Sequence, residues 1–406
     1  MTTEREQAKV RVLGKTYTRR DVLKRSLAAG AGALALSAFG GRFDAQGVEA
    51  AGEGNLRTGA IYTMTDEVAN RVVAYYRAPD GTLTEAGRFP TGGLGSGRGN
   101  LFGQGAIVLS GNEPGARVAV GANHLLFVCN YQSNEISVFR IEPNALVPVS
   151  KTSSGGIGLL SLAVYQDLLY ALHQNSGTIS GFRLDAHGAL TPIPGSTRTV
   201  AGGAASNPAQ VEFSKDGAIL VATERETGII DTYLVDKRTG LLTGPRVNRS
   251  NSREPFGCAF DNRNNLFVAE GNFVVPAAGA VSSFRVLDDG TLQTVSPSVF
   301  SGGTDTCWVV ITDNGRYAYV QSFGDSRISS YTIDPDGTLV LLQSAAAFTG
   351  LGPGGFDLAL TLGSQYLYGL NGQGTISGFA PQPDGTLAPV GSVGGLPPST
   401  VGIAAR

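Results

Sequence analysis

The chain has 406 residues, of which only 16 % are charged and 57 are glycine. Residues 1–50 carry nine basic and five acidic groups, so with a whole-chain charge of −2 the remainder sits near −6. A mildly acidic body excludes nucleic acid and anionic lipid as main partners, and three cysteines are too few and too scattered for a disulfide framework or a zinc cluster.

The chain begins with a basic stretch followed by an apolar run of Leu, Ala, Gly, Ser and Phe at 27–39. A bilayer span needs about 20 apolar residues, so this run predicts no stable membrane anchor. It matches the apolar core of a signal peptide behind a basic region. Thr18-Arg19-Arg20-Asp21-Val22-Leu23-Lys24 resembles the twin-arginine export motif, and Val48-Glu49-Ala50 offers a cleavage site. The expectation is a leader over 1–50 and one domain over 51–406. The leader implies the twin-arginine translocase as a transient partner and a secreted or periplasmic destination. A chain that folds before export does not depend on disulfides. Cys129, Cys258 and Cys307 therefore read as small buried hydrophobes, with a Cys258–Cys307 bridge left open.

Behind the leader one pattern recurs seven times: an apolar stretch, a polar end, a gap, an aromatic anchor and a turn. The anchors are Tyr75, Phe139, Phe182, Tyr233, Phe284, Tyr331 and Phe379, spaced by 64, 43, 51, 51, 47 and 48 residues. Four copies continue into Asp-Gly-Thr-Leu, at 80–83, 289–292, 336–339 and 384–387. Asp-Gly before a β run is a hairpin signal, because glycine accepts the positive φ of the turn. Four short strands per repeat of 40–50 residues predict an all-β, seven-bladed propeller. The final STVGIAAR reads as an innermost strand without followers. It is expected to close the first blade and remove the free edges at the seam. The excess between Tyr75 and Phe139 is a glycine-rich insertion around 91–105.

The repeated DGTL and ISGF, with SKDGAILVATE and PFGCAFD, resemble the seven-bladed lactonase propellers. That group includes cycloisomerase-type 6-phosphogluconolactonases and carboxymuconate cyclases. The resemblance covers 57–406 and implies lactone hydrolysis or formation in a cleft at one mouth of the channel, with no metal or cofactor. The family's motifs are a Pro-His, a Pro-Arg-His and an Asn-Glu. Here those places read Leu160-Ser161, Pro208-Ala209-Gln210 and Thr223-Glu224-Arg225.

Counting nine residues back from each anchor reaches the end of the second strand. This gives Asp66, Asn130, His173, Glu224 and Ser322, with Glu270 and Asn371 in the two altered blades. Such a polar ring in a chain poor in charge suits a ligand site or the capping of strand ends. Lactone opening needs a base to activate water and a cation or donors for the oxyanion. Glu224 as base, Arg225 as oxyanion partner and His173 as proton shuttle supply these. Adjacent strand residues face opposite ways, so Glu224 and Arg225 share a site only if the strand ends or bulges there. Asp66, Asn130, Gln210, Glu270, Asp305 and Asn371 are the ligand-binding candidates. Glu212 could line the channel. Trp308 could stack at its mouth or pack in the core, and His124 and His187 read as surface residues. Three functions stay open: an exported lactonase acting on a small lactone or sugar acid, a non-catalytic binding propeller, and a muconate-type cycloisomerase. The expected state is a monomer.

Overall fold

The structure is a computed structural model describing residues 9–12, 15–18, 54–98, 103–111, 124–273 and 275–406. The apolar run, both arginines of the export motif and the cleavage site lie outside those residues. Lys9–Val12 pairs antiparallel with Lys15–Thr18, a hairpin the reading of the leader did not anticipate. Among the described residues no helix is long and apolar enough to cross a membrane.

Seven antiparallel sheets follow, each built in the order inner strand to outer strand. The first blade takes its inner strand from the C-terminus, so Val401–Ala405 pairs Ala60–Met64, then Arg71–Arg77 and Leu83–Pro90. Blades two to seven have inner strands Ile107–Leu109, Leu159–Tyr165, Pro208–Phe213, Pro255–Phe260, Thr306–Ile311 and Gly355–Leu360. Among the described residues the third blade alone has a short extra pairing, Arg198–Thr199 against Thr178–Leu184. The seven-bladed ring and its closure by the C-terminal strand are as the repeat predicts.

The Asp-Gly turns hold the ring together as well as the hairpins. Asp80 Oδ1 accepts the Thr82 amide at 3.0 Å and its hydroxyl at 2.7 Å, and Asp384 does the same for Thr386. Gly81, at φ +87°, has its carbonyl facing the neighbouring blade, where the Tyr368 hydroxyl donates to it at 2.6 Å. Tyr170 to Gly240 (2.7 Å) and Tyr319 to Gly385 (3.2 Å) repeat this latch. A buried tyrosine needs such a partner for its hydroxyl.

Where the second strands end, the polar ring locks blade to blade. In blades two to seven the terminal side chain lies against the loop arriving from the preceding blade. Asn130 accepts from Thr91 Oγ1 at 2.7 Å and donates to Ser137 at 2.8 Å. Asn371 donates to the Thr349 carbonyl. Glu270 accepts from Ser250, Ser282 and Ser298 hydroxyls and the Ser252 amide, at 2.7 to 2.9 Å. Gly93, Gly156, Gly202 and Gly303 stand at these contacts. A Cβ at any of them would overlap Asn130, His173, Glu224 or Ser322 respectively. All three cysteines are buried and unbridged, which closes the Cys258–Cys307 alternative.

Candidate functional site

The upper face of the ring, where inner strands begin and second strands end, has a regular backbone. The residue before each inner strand is left-handed in five consecutive blades: Gly158, Asn207, Glu254, Asp305 and Gly354. Glycine and Asn or Asp tolerate this conformation, and glutamate pays a steric penalty. Its carbonyl accepts the amide that follows the second strand, as in Gly271 to Glu254 at 3.0 Å. Two residues later each of these inner strands bulges, at Leu160, Ala209, Phe256-Gly257, Cys307 and Phe356, and the first blade's inner strand bulges at Gly402. A bulge turns an extra side chain toward the axis, and five of these six positions carry an apolar side chain. With Trp308 and Phe323 they fill the upper mouth. Phe256 and Phe356 meet Trp308 edge-on at centroid distances of 5.4 and 6.3 Å. Trp308 is therefore core packing, and its Nε1 has no partner among the described residues.

The glycine-rich insertion completes the closure. Gln104 reaches across the ring from the second blade to the sixth, donating to the Val309 carbonyl at 2.9 Å and accepting its amide at 3.2 Å. A Cβ on Gly103 would meet the Ala209 carbonyl at 2.5 Å, so this backbone lies directly on the inner strands.

The proposed catalytic residues enter separate hydrogen-bond sets. Glu224 is wholly buried and accepts the Gly202 amide at 2.9 Å and the Thr227 hydroxyl at 2.6 Å. Beside it, burial and then the Glu224 carboxylate push Asp231 up to about 8, against the Ala201 amide it accepts. Sequence reasoning missed Asp231, which follows an anchor strand and carries no motif. His173 is also buried. Its Nδ1 faces the Thr178 carbonyl at 3.0 Å, and burial lowers it to about 4, so the ring is neutral. Its Nε2 has no partner among the described residues. Arg225 lies one residue past the strand, with Nε on the Asn207 carbonyl at 3.1 Å and its guanidinium 5.3 Å from the Phe256 ring centroid. As strand alternation predicts, Glu224 turns into the seam and Arg225 turns away.

The pairing register puts Thr65, not Asp66, at the position equivalent to Asn130, because the first blade's turn is one residue longer. Asp66 instead accepts two bonds from Ser96 of the insertion, and burial raises it to about 6. Gln210 accepts the Cys258 amide of the next blade at 2.6 Å and donates to Glu212 at 3.1 Å. Asp305 is buried, with the Cys307 thiol at 3.4 Å. His187 is exposed, and His124 is half-buried beside Arg406.

One open space on the upper face gathers charge. A cleft of about 540 Å³ between the fourth and fifth blades is lined by Arg225, Arg249, Arg253, Glu226 and Glu254 among others. Glu254 Oε2 accepts the Phe273 amide at 2.7 Å. Arg225 alone of the sequence candidates lies in this cleft. Glu254 was missed because the strain that marks it is visible only in the backbone.

A family model described as "Lactonase, 7-bladed beta-propeller" matches residues 57–202 and 250–356, more than half of the chain. The chain belongs to this lactonase propeller family. The ring is also similar to solved structures. A Lactobacillus plantarum protein is 16 % identical, over 86 % of this chain and 99 % of that one, with a TM-score of 0.66. A putative 6-phosphogluconolactonase from Bacteroides fragilis is 15 % identical over 86 % and 98 % (TM-score 0.61). The periplasmic gluconolactonase of Pseudomonas aeruginosa is 15 % identical over 86 % and 98 % (TM-score 0.62). At that identity the likeness is one of fold. Comparison with curated protein sequences returned no match.

The match to this lactonase propeller family leaves out most of the fourth blade and all but the start of the seventh. The family model passes over residues 203–249, which hold Gln210, Glu212, Glu224 and Arg225. Where the resemblance places histidines, Ser161 and Gln210 accept edge amides of the next inner strand, Val211 at 3.2 Å and Cys258 at 2.6 Å. These side chains satisfy backbone groups that would otherwise be buried without partners.

Proposed function

We propose that the protein hydrolyses a small lactone or sugar-acid lactone in the cleft between its fourth and fifth blades, after export by the twin-arginine route. The observation that carries this reading is the Arg225 guanidinium. It is buried to 4 % exposure and held on the Asn207 carbonyl, in one cavity with Glu254, Arg249 and Arg253. Family membership supports the reaction class, and the leader supports the destination.

In this reading the Glu254 carboxylate takes a proton from water, and the resulting hydroxide adds to the lactone carbonyl carbon. The Arg225 guanidinium stabilises the oxyanion, a charge-assisted contact strengthened by exclusion of water. Collapse breaks the ring C–O bond, the alkoxide takes the proton back, and a hydroxy acid leaves. Arg249 and Arg253 hold the product carboxylate. Glu254 takes the base role in preference to Glu224 because it is half-buried on the wall of the cleft, whereas Glu224 is wholly buried in the seam outside it.

The test is proton release in a pH-stat against a panel of γ- and δ-lactones. Arg225→Met and Glu254→Gln are each expected to lose about a hundredfold or more in kcat/KM. Undiminished turnover in Glu254→Gln would move the site elsewhere. The apolar bulges at Leu160, Ala209, Phe256 and Phe356 favour a second reading, a propeller that binds without transforming. Lactones that bind by calorimetry but are never consumed would establish it.

A further inference from the structure

Below the aromatic plug the central channel widens into a cavity of about 270 Å³, open at the face where the inner strands end. Seven equivalent positions of the inner strands form its waist: Val108, Ala163, Glu212, Ala259, Val310, Ala359 and Ala404. Six are small or apolar and one is a carboxylate. An isolated charge in such a wall is costly unless it meets a partner. Glu212 Oε2 accepts Gln210 Nε2 and Oε1 accepts the Phe213 amide, both at 3.1 Å. A carboxylate has about four acceptor positions, so two remain for a ligand in the cavity that Glu212 lines. Burial raises the Glu212 carboxyl above its ordinary range, with Lys215 acting against it.

Lys215 lines the same cavity nearer the lower opening. Its ammonium makes no hydrogen bond or ion pair among the described residues. Asp313, also on the wall, is already engaged by the Gly363 amide. The cavity therefore presents a negative group at mid-depth, a positive group toward the opening, and apolar wall between them.

We infer that this lower channel is a second binding site, for a short ω-amino acid that enters ammonium first. The ammonium bonds Glu212, the carboxylate meets Lys215, and the methylenes lie against Ala259, Val310 and Ala404. The inner strand ends at Phe213 and Lys215 stands in the turn beyond it, so the two backbone positions lie at most roughly 10 Å apart, and the reach of both side chains shortens that to a spacer of about three to five methylenes. The site is independent of the upper cleft, because the Gln104 bridge and the aromatic cluster separate them.

The test is titration calorimetry on the full chain with 4-aminobutanoate and 6-aminohexanoate, and with hexylammonium and hexanoate as singly charged controls. At least one amino acid is expected to bind at least tenfold more tightly than either control. Glu212→Gln and Lys215→Met each weaken that binding tenfold or more, and Ala259→Leu, which fills the waist, abolishes it. Ala404→Leu serves the same purpose should Ala259→Leu fail to fold, as read by Trp308 emission. Arg225→Met leaves the binding unchanged. No heat with either amino acid overturns the inference, as does binding that survives Glu212→Gln. Hexylammonium binding as tightly as the amino acids, and indifferent to Lys215→Met, overturns it too.

Discussion

Gly156 has no room for a methyl group: a Cβ there would enter the His173 ring, and one on Gly303 would strike Ser322. Gly156→Ala and Gly303→Ala are therefore expected to lose about 1–3 kcal/mol each in urea unfolding. Gly394→Ala is the control, since its nearest neighbour is 3.8 Å away, and it is expected to change stability by less than about 0.5 kcal/mol. Asp357 makes a second prediction. It is wholly buried, accepts the Leu358 amide at 2.8 Å and the Ile403 amide at 3.2 Å, and burial raises it from 3.8 to about 8. A carboxyl raised on folding holds its proton in the native state and releases it in the unfolded one. Its contribution is complete below pH 3.8 and is lost as pH rises toward 8. Asp357→Asn removes that slope, so the gap between wild type and variant should change steadily in the variant's favour between those limits. A gap that stays constant across this range would disprove the assignment.

At the scale of strands and turns, the bulges and the left-handed entry positions decide what the upper mouth can hold. Gly402 is a bulge residue that is itself left-handed, with φ at +68° and a would-be Cβ 3.1 Å from Ala106 and Ile107. Gly402→Val is expected to cost about 2 kcal/mol or more, read as a lower urea midpoint with the slope unchanged. Much of this level was legible in the sequence. The anchors, the Asp-Gly turns and the followerless STVGIAAR specify seven blades and their closure, because hydrophobic period and turn chemistry are local signals. The bulges were not legible. These inner strands are buried on both faces and carry no alternation for an extra residue to break, so it is the pairing partner that exposes it. Counting from anchors failed by one residue at Asp66 because the first blade's turn is one residue longer. The polar ring was found, but its partners were not. Thr91, Ser154-Gly155-Gly156 and Ser301-Gly302-Gly303 precede the blades they lock, and nothing in spacing ties them to a strand some twenty to forty residues later.

For the whole molecule, Trp308 reports on the channel. It is the single tryptophan, fully buried between Phe256 and Phe356. Its emission should be blue in the native state and shift red in the same transition that far-UV circular dichroism records, since the ring unfolds as one unit. Separate transitions would mean that blades open individually. The thiols give an independent check. No cysteine should react with an aromatic disulfide reagent in the native protein, and all three should react in denaturant without reductant. A count of one would indicate a bridge after all.

The closing pair of strands also sets a schedule. Thr63 donates to the Gly402 carbonyl at 2.6 Å across 339 residues of chain. Synthesis at about 5–20 residues per second separates the two by roughly 20 to 70 seconds. Throughout that interval Ala60–Met64 has left the ribosome with its inner edge unpaired. An unpaired apolar edge is what chaperones bind and aggregates recruit. The first blade is thus the earliest made and among the last completed, and a nascent-chain binder that shields Ala60–Met64 would act on yield without touching the finished ring.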